Sequence, residues 1–165
     1  MNKRITKRIK EQSDVKDRPK LSKTDLGEAA RQMICARLMI NGIKVFMPMT
    51  EDTPTDLLVL KENGDVIKCQ CKYIYPTRRG NHEMPLYATR KNGANRKSIR
   101  HVYSISEVDV FLGYCIDNDM VYVVPFEKAR GKQRLIFWIT RKSAGANDVK
   151  PFDPKAFENM FELLK

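Results

Sequence analysis

No stretch of the 165-residue chain approaches the roughly 18 consecutive apolar residues of a membrane-crossing helix, so the sequence does not read as a spanning protein. The N-terminus is basic but lacks the apolar core of a secretory signal behind it. Cysteines are few: Cys35, Cys69, Cys71 and Cys115 stand in apolar segments without zinc-finger spacing. That predicts buried, reduced thiols in a cytoplasmic protein rather than disulfides or a metal finger. Histidine is scarcer still, and His82 and His101 stand in no pattern that suggests catalysis; phosphate contact and plain exposure are their two readings. There is no internal repeat and no low-complexity tract. What remains is an ordinary globular composition, 42% hydrophobic, long enough for one domain with its own core.

Acidic residues are the other deficit, and the deficit is local. The chain carries a formal net charge of +11. Residues 1–20 hold eight Lys/Arg, Lys7 and Arg8 among them, against Glu11, Asp14 and Asp17. Residues 73–104 hold Arg78, Arg79, Arg90, Lys91, Arg96, Lys97 and Arg100 against Glu83 alone. Together these two segments account for the whole excess, and the rest is neutral. Charge gathered this way is the footprint of a polyanion-binding surface, although a solvated tail and loop would look similar. The expected organisation is a basic N-terminal arm, 1–21, and one domain, 22–165, with a basic excursion at 73–104. Tyr75, Tyr87 and Tyr103 are interleaved with its cations and can stack or hydrogen-bond, so these residues are candidate DNA contacts.

Ser22 or Thr24 can cap a helix, and Asp25 stands three after Ser22 as in a capping box. Leu26, Ala30, Met33, Ile34, Leu38 and Ile40 then recur at helical spacing up to Asn41-Gly42, a helix stop. Lys44–Pro48 reads as a strand. Next comes the stretch that organises the chain, 56–72. Leu57 to Leu60 runs into Asn63-Gly64, the signal for a two-residue hairpin turn, and Val66 to Tyr73 leads away from it. Alternation puts Lys68, Gln70 and Lys72 on one face of that strand and Ile67, Cys69 and Cys71 on the other. The hairpin brings the polar face back to Asp56, so a carboxylate, an amide and an ammonium meet at one end. That cluster suggests a site for a metal ion and a phosphate.

Downstream, Met84–Arg90 forms a candidate strand, and Val108–Ile116, Met120–Pro125 and Leu135–Thr140 read as three more. A basic loop (Lys128, Arg130, Lys132, Arg134) precedes the last, and Trp138 in it reads as core. Arg141 and Lys142 are further phosphate contacts or simply solvated. Asp153-Pro154 caps a final helix with Ala156, Phe157, Met160, Phe161 and Leu164 on its apolar face. The fold class is therefore α/β (α+β), a central mixed sheet flanked by helices.

Glu28 in the first helix, Thr55-Asp56 at a strand start, then Gln70-Cys71-Lys72 on the next strand resemble the PD-(D/E)xK nuclease superfamily. Gly27-Glu28-Ala29-Ala30 and Asp56-Leu57-Leu58-Val59 look closest to the branch that contains a cyanobacterial group I intron homing endonuclease; archaeal Holliday junction resolvases are relatives. The likeness covers roughly residues 22–140. It implies a restriction-endonuclease-like core and a metal-dependent DNA endonuclease, most plainly of homing type, with a four-way-junction resolvase and a non-cleaving DNA-binding descendant as alternatives. It implies Glu28, Asp56, Gln70 and Lys72 as the catalytic set. Mg²⁺, with Mn²⁺ as a substitute, would be held by Asp56, the Gln70 amide, the Cys71 carbonyl and Glu28, oxygen donors that suit a hard cation. Lys72 would act as base or as charge stabiliser. Gln70 departs from the usual acid and removes one negative charge, which puts metal affinity and a second metal in question. Read singly, Gln70 and Lys72 would also suit a solvent-facing strand edge. Cutting both strands of a duplex needs two sites, hence a homodimer or homotetramer.

Overall fold

The computed structural model describes residues 21–50, 53–91, 98–139 and 153–165. The N-terminal arm, with Lys7 and Arg8, lies outside them, as do Arg96, Lys97, Arg141 and Lys142.

Helix α1 (Lys23–Ile40) begins where the capping box predicts. Ser22 Oγ accepts from the Asp25 N–H, and the Asp25 carboxylate accepts from the Ser22 N–H, satisfying two otherwise orphaned donors. It stops at Asn41-Gly42: Gly42 adopts φ +75°, and the Ile43 N–H reaches back to the Leu38 carbonyl at 3.0 Å. The helix buries Ala30, Ile34, Cys35 and Leu38 against the sheet. Ile34 and Leu38 are both fully buried, each contributing about 1.5–3 kcal/mol on transfer grounds.

Strands β1 (Lys44–Phe46), β2 (Leu57–Leu60), β3 (Val66–Pro76), β4 (His82–Pro85) and β9 (Arg134–Phe137) form one path through a seven-stranded sheet. β7 (Val110–Cys115) pairs parallel with β3, and β8 (Met120–Pro125) pairs antiparallel with β7. Among the described residues only the β3–β7 pairing is parallel, so the expected mixed sheet is what forms. β5 (Tyr87–Lys91) and β6 (Ser98–Val102) stand apart as a two-stranded antiparallel ribbon. The central strands are covered on both sides, which is why β7 is buried from end to end. One layer packs Leu57, Val59, Cys69, Cys71 and Leu112 against α1; the other packs Ile74, Met84, Phe111, Tyr122 and Phe137. All four cysteines are buried and free, as their apolar settings suggested.

Several expectations are corrected. The β2–β3 connection is a three-residue loop, with Lys61 and Asp65 pairing across it and Gly64 at φ +90°, rather than a two-residue turn. A type I turn needs the next residue left-handed to rejoin the strand, and glycine takes that position without strain. The strand over 84–90 is two strands broken at Leu86, which turns its side chain into the second apolar layer. In the basic loop, Phe126–Ala129 forms a one-turn helix, α2. Trp138 lies beyond the end of β9 and is half-buried rather than core.

The C-terminal helix does not form: two 3₁₀ turns, Pro154–Ala156 and Phe161–Leu164, replace it. Asp153 does cap the first, accepting from the Lys155 N–H. Glu158 then bridges to Tyr122 on the edge of β8, and Asn159 goes to φ 48°, so the backbone serves the sheet instead of a helix. Phe161 and Leu164, three apart, still reach the core because that spacing also matches a 3₁₀ turn. No helix among the described residues is long and apolar enough to cross a membrane.

Candidate active site

The site arises where β3 outruns β2. β2 ends opposite Cys69, and the Asp56 N–H donates to the Cys69 carbonyl at 2.9 Å. Two residues further along the same edge, the Cys71 N–H has no β2 backbone left to meet. It donates instead to Asp56 Oδ2 at 2.8 Å. The Gln70 amide Nε2 donates to the same oxygen, in a very short contact, and lies 3.5 Å from the Cys71 carbonyl. Asp56, Gln70 and Cys71 therefore form one hydrogen-bonded unit. Burial pushes the Asp56 carboxyl above its ordinary value, against the lowering influence of the Cys71 N–H and the nearby Lys72 ammonium.

Lys72 is on the same face of β3 as Gln70, half-buried, and its ammonium is held at two points. Nζ donates to the Tyr103 hydroxyl at 2.9 Å and to the Tyr87 carbonyl at 3.1 Å. Loss of hydration lowers its pKa to about 8, while Asp56 pulls in the opposite direction. That face of β3 is not the open polar surface the alternation suggested. Gln70 is opposite Phe111, and Gly113 is opposite Lys72, with the second apolar layer filling in around the lysine stem. The strand-edge reading of Gln70 therefore fails: the side chain is 7% exposed, yet its amide is satisfied by Asp56 rather than lost in the apolar layer.

Glu28 sits on the rim. Thr24, Gly27, Glu28 and Arg31 of α1 line one wall of a cleft of about 360 Å³, and Asp56 and Cys71 lie on another. Glu28 is exposed and engaged with Arg31 at 2.7 Å and Gln32 at 2.7 Å, which hold its carboxyl below the ordinary range. Arg31, which the sequence reading passed over, is the cleft's own cation and feels the Asp56 charge. Its place three residues after Glu28, on the same helix face, was the available signal.

Among the described residues no three His, Cys, Asp or Glu side chains gather as a metal cluster. The donors present are of another kind: one half-buried carboxylate, an amide, a main-chain carbonyl and a rim carboxylate. All offer hard oxygens, and Asp56 is a partly desolvated carboxylate whose neighbours are N–H groups, the Lys72 ammonium and the Arg31 guanidinium. That set fits a single divalent cation that keeps several of its waters.

The proposed DNA-contact residues separate into two places. Arg78 and Arg79 are exposed in the β3–β4 turn, beside Lys132 and Arg134 on a groove of about 640 Å³. Arg100 lies on the ribbon with its guanidinium 4.7 Å from the Tyr87 ring centre. Arg90 and Lys91 belong to β5 by backbone pairing with Ile99 and Ser98, and their side chains lie outside the described set. Both histidines are structural rather than phosphate-facing: His82 is buried and pairs with Asp117 at 2.7 Å, and His101 pairs with Glu107 at 2.9 Å.

The chain is similar to known proteins in family and in fold. No curated protein sequence matches it. The structure of a bacterial homing endonuclease, I-Ssp6803I, superposes with a TM-score of 0.68, covering 87% of this chain and 93% of that one at 21% identity. The model of the PD-(D/E)XK endonuclease family matches residues 21–152. With that match spanning α1, the β2–β3 hairpin and the sheet behind it, the chain belongs to the PD-(D/E)XK endonuclease family.

Proposed function

We propose that the protein is a divalent-metal-dependent, site-specific DNA endonuclease of homing type that hydrolyses phosphodiester links in duplex DNA with the Asp56–Gln70–Cys71–Lys72 cluster. The observation that carries the reading is the joint placement of the half-buried Asp56 carboxylate and a held ammonium two strand positions from Gln70. Nucleases of this family use divalent metal ions, and Mg²⁺, with Mn²⁺ as its substitute, suits the oxygen donors here. Asp56 would be the principal ligand, the Cys71 carbonyl and the Gln70 amide oxygen would add two more, and Glu28 would contribute from the rim. For Gln70 this requires the amide turned with oxygen inward, the reverse of its orientation against Asp56. Held there, a divalent cation would supply a water of lowered pKa and neutralise charge on the scissile phosphate.

Lys72 supplies what the protein adds. Two of the hydrogens on Nζ are spoken for by Tyr103 and Tyr87. One position is left. As an ammonium it offers a hydrogen there to a non-bridging phosphate oxygen as negative charge builds. In the fraction deprotonated near pH 8 it offers a lone pair to the attacking water. Specificity is assigned to the β5–β6 ribbon, because a two-stranded ribbon fits the major groove, where each base pair is distinguishable. Arg78 and Arg79, with the N-terminal arm, provide sequence-independent contacts to phosphates. Two such sites, in a homodimer or homotetramer, are needed to cut both strands.

A divalent-metal titration against supercoiled plasmid, long duplex libraries and a random-sequence four-way junction tests the reading, with Asp56→Ala and Lys72→Ala beside the wild type. Metal-dependent cutting at discrete duplex sites, abolished by either substitution while DNA binding persists, is the expected result. Cutting of junctions regardless of sequence would replace the homing reading with a resolvase. Binding without cutting under every metal would replace it with a non-cleaving DNA-binding protein.

A further inference from the structure

Both groups that hold the Lys72 ammonium stand at the foot of the β5–β6 ribbon. Tyr87 is the first residue of β5 and pairs with Val102, the last of β6; Tyr103 follows immediately. The lysine is thus gripped where the two ribbon strands enter the body of the protein, once by a carbonyl and once by a hydroxyl. Its Nζ also lies 4.7 Å from the centre of the Tyr103 ring, within cation–π range. Tyr103 is itself buried and closely packed. Its ring meets His101 edge-on at 5.3 Å and Phe111 at 5.7 Å, and Phe111 is the β7 partner of Gln70.

A second set of contacts ties the same foot to the Asp56 side. The Glu107 carboxylate pairs with His101 at 2.9 Å and accepts from the Ser104 N–H at 2.8 Å. The backbone carbonyl of the same residue accepts from Thr55 Oγ1 at 3.0 Å, one residue before Asp56. One short turn, Ser104 to Glu107, therefore braces both the ribbon foot and the strand start that carries the carboxylate.

We propose that Tyr103 is a positioning residue for Lys72, and that through it and the Tyr87 carbonyl the DNA-reading ribbon sets where the catalytic ammonium stands relative to Asp56. A lysine side chain left to itself samples many rotamers on a flexible stem. Held at both feet of the ribbon, it has one place to stand, and movement of the ribbon on DNA is transmitted to Nζ without an intervening hinge. This deepens the proposed nuclease function and rests on Lys72 acting at the phosphate.

The test is Tyr103→Phe, which keeps the ring and removes the hydroxyl, measured for single-turnover cleavage of plasmid with saturating Mg²⁺ and for DNA affinity in Ca²⁺. The expected result is a cleavage rate lower by about tenfold or more, the size of losing a hydrogen bond to a charged group, with affinity unchanged. Lys72→Arg is the companion, since a planar guanidinium cannot reproduce the two-point grip of an ammonium. It should bind DNA normally and cleave slowly, and adding Tyr103→Phe to it should cost little more. Full-rate cleavage by Tyr103→Phe, parallel loss of binding and cleavage, or additive losses in the double variant would each overturn the proposal. If Tyr103→Phe does not fold, full-rate cleavage by Lys72→Arg overturns it alone. Normal cleavage by Lys72→Ala would mean that the site assignment itself is wrong.

Discussion

Restoring an acid at position 70 examines the site through stability, independently of any DNA target. In Gln70→Glu the new carboxylate replaces an amide that donates to Asp56 Oδ2, so two anions face each other in a partly desolvated pocket. Two unit charges about 4 Å apart repel by about 4 kcal/mol at an effective dielectric constant of ~20. Proton uptake limits the penalty: with an unfolded glutamate pKa of about 4.3, holding one carboxyl neutral at pH 8 costs at most about 5 kcal/mol. For a chain of this size, about 4 kcal/mol corresponds to a fall in Tm of roughly 8–16 °C. The folded pKa of the new pair is raised, so the variant matches the wild type below about pH 4 and loses stability as pH climbs through the unfolded value. The loss is complete above the folded value.

Adding Mg²⁺ or Mn²⁺ should reverse that loss, because a cation between the carboxylates replaces repulsion with ligation, and metal affinity should exceed that of the wild type. Melting curves by circular dichroism in EDTA and in 10-fold steps of Mg²⁺, at pH 4, 6 and 8, provide the measurement. If the wild type and Gln70→Glu melt together in EDTA at pH 8, and gain equally from metal, residues 56 and 70 do not form a shared cation site.

Asp56→Asn removes the ligand charge while keeping an oxygen for the Cys71 N–H; cleavage should fall by about a thousandfold, as for loss of a principal transition-state stabiliser, with DNA affinity retained in a filter-binding assay. Gly113→Ala should destabilise by about 1–3 kcal/mol, read by chemical denaturation, since an added Cβ would lie 2.5 Å from Met84 Sδ and 2.7 Å from Ile74 Cδ1. Ser22→Ala should cost about 1 kcal/mol through loss of the α1 cap, and a Tm unchanged within a degree would contradict the capping geometry. Arg78→Ala and Arg79→Ala should each reduce the slope of log K against log salt by about 1 and weaken all sequences alike. A change confined to one target sequence would instead assign them to base reading.

Much of this was legible in the chain because local signals and tertiary demands agree. Ser22-Lys-Thr-Asp25 and Asn41-Gly42 mark the ends of α1 because caps are local hydrogen bonds. The hairpin and the alternation of 67–72 put Asp56, Gln70 and Lys72 together because the pleat has a fixed period. Where distant partners decide, the sequence was silent. Phe157 to Leu164 carries a helical pattern, but Tyr122 takes Glu158 as a sheet neighbour, and that competition is not visible along the chain. Residues 84–90 look like one strand; only the second apolar layer makes Leu86 the break between a sheet strand and a free-standing ribbon. Tyr103 reads as one more interleaved aromatic because its partner lies 31 residues upstream.

The way β3 runs past its neighbour has one further consequence. At Cys71 the carboxylate of Asp56 occupies the place where another strand's backbone would bond. A variant that removes this carboxylate, as in the alanine substitution used to inactivate such enzymes, loses more than chemistry. It leaves the Cys71 amide hydrogen unpaired at the point where β3 outruns β2, able to donate to the carbonyl of a foreign chain. Inactive preparations should therefore self-associate more readily than the wild type, and light scattering of Asp56→Ala beside Asp56→Asn would register the difference.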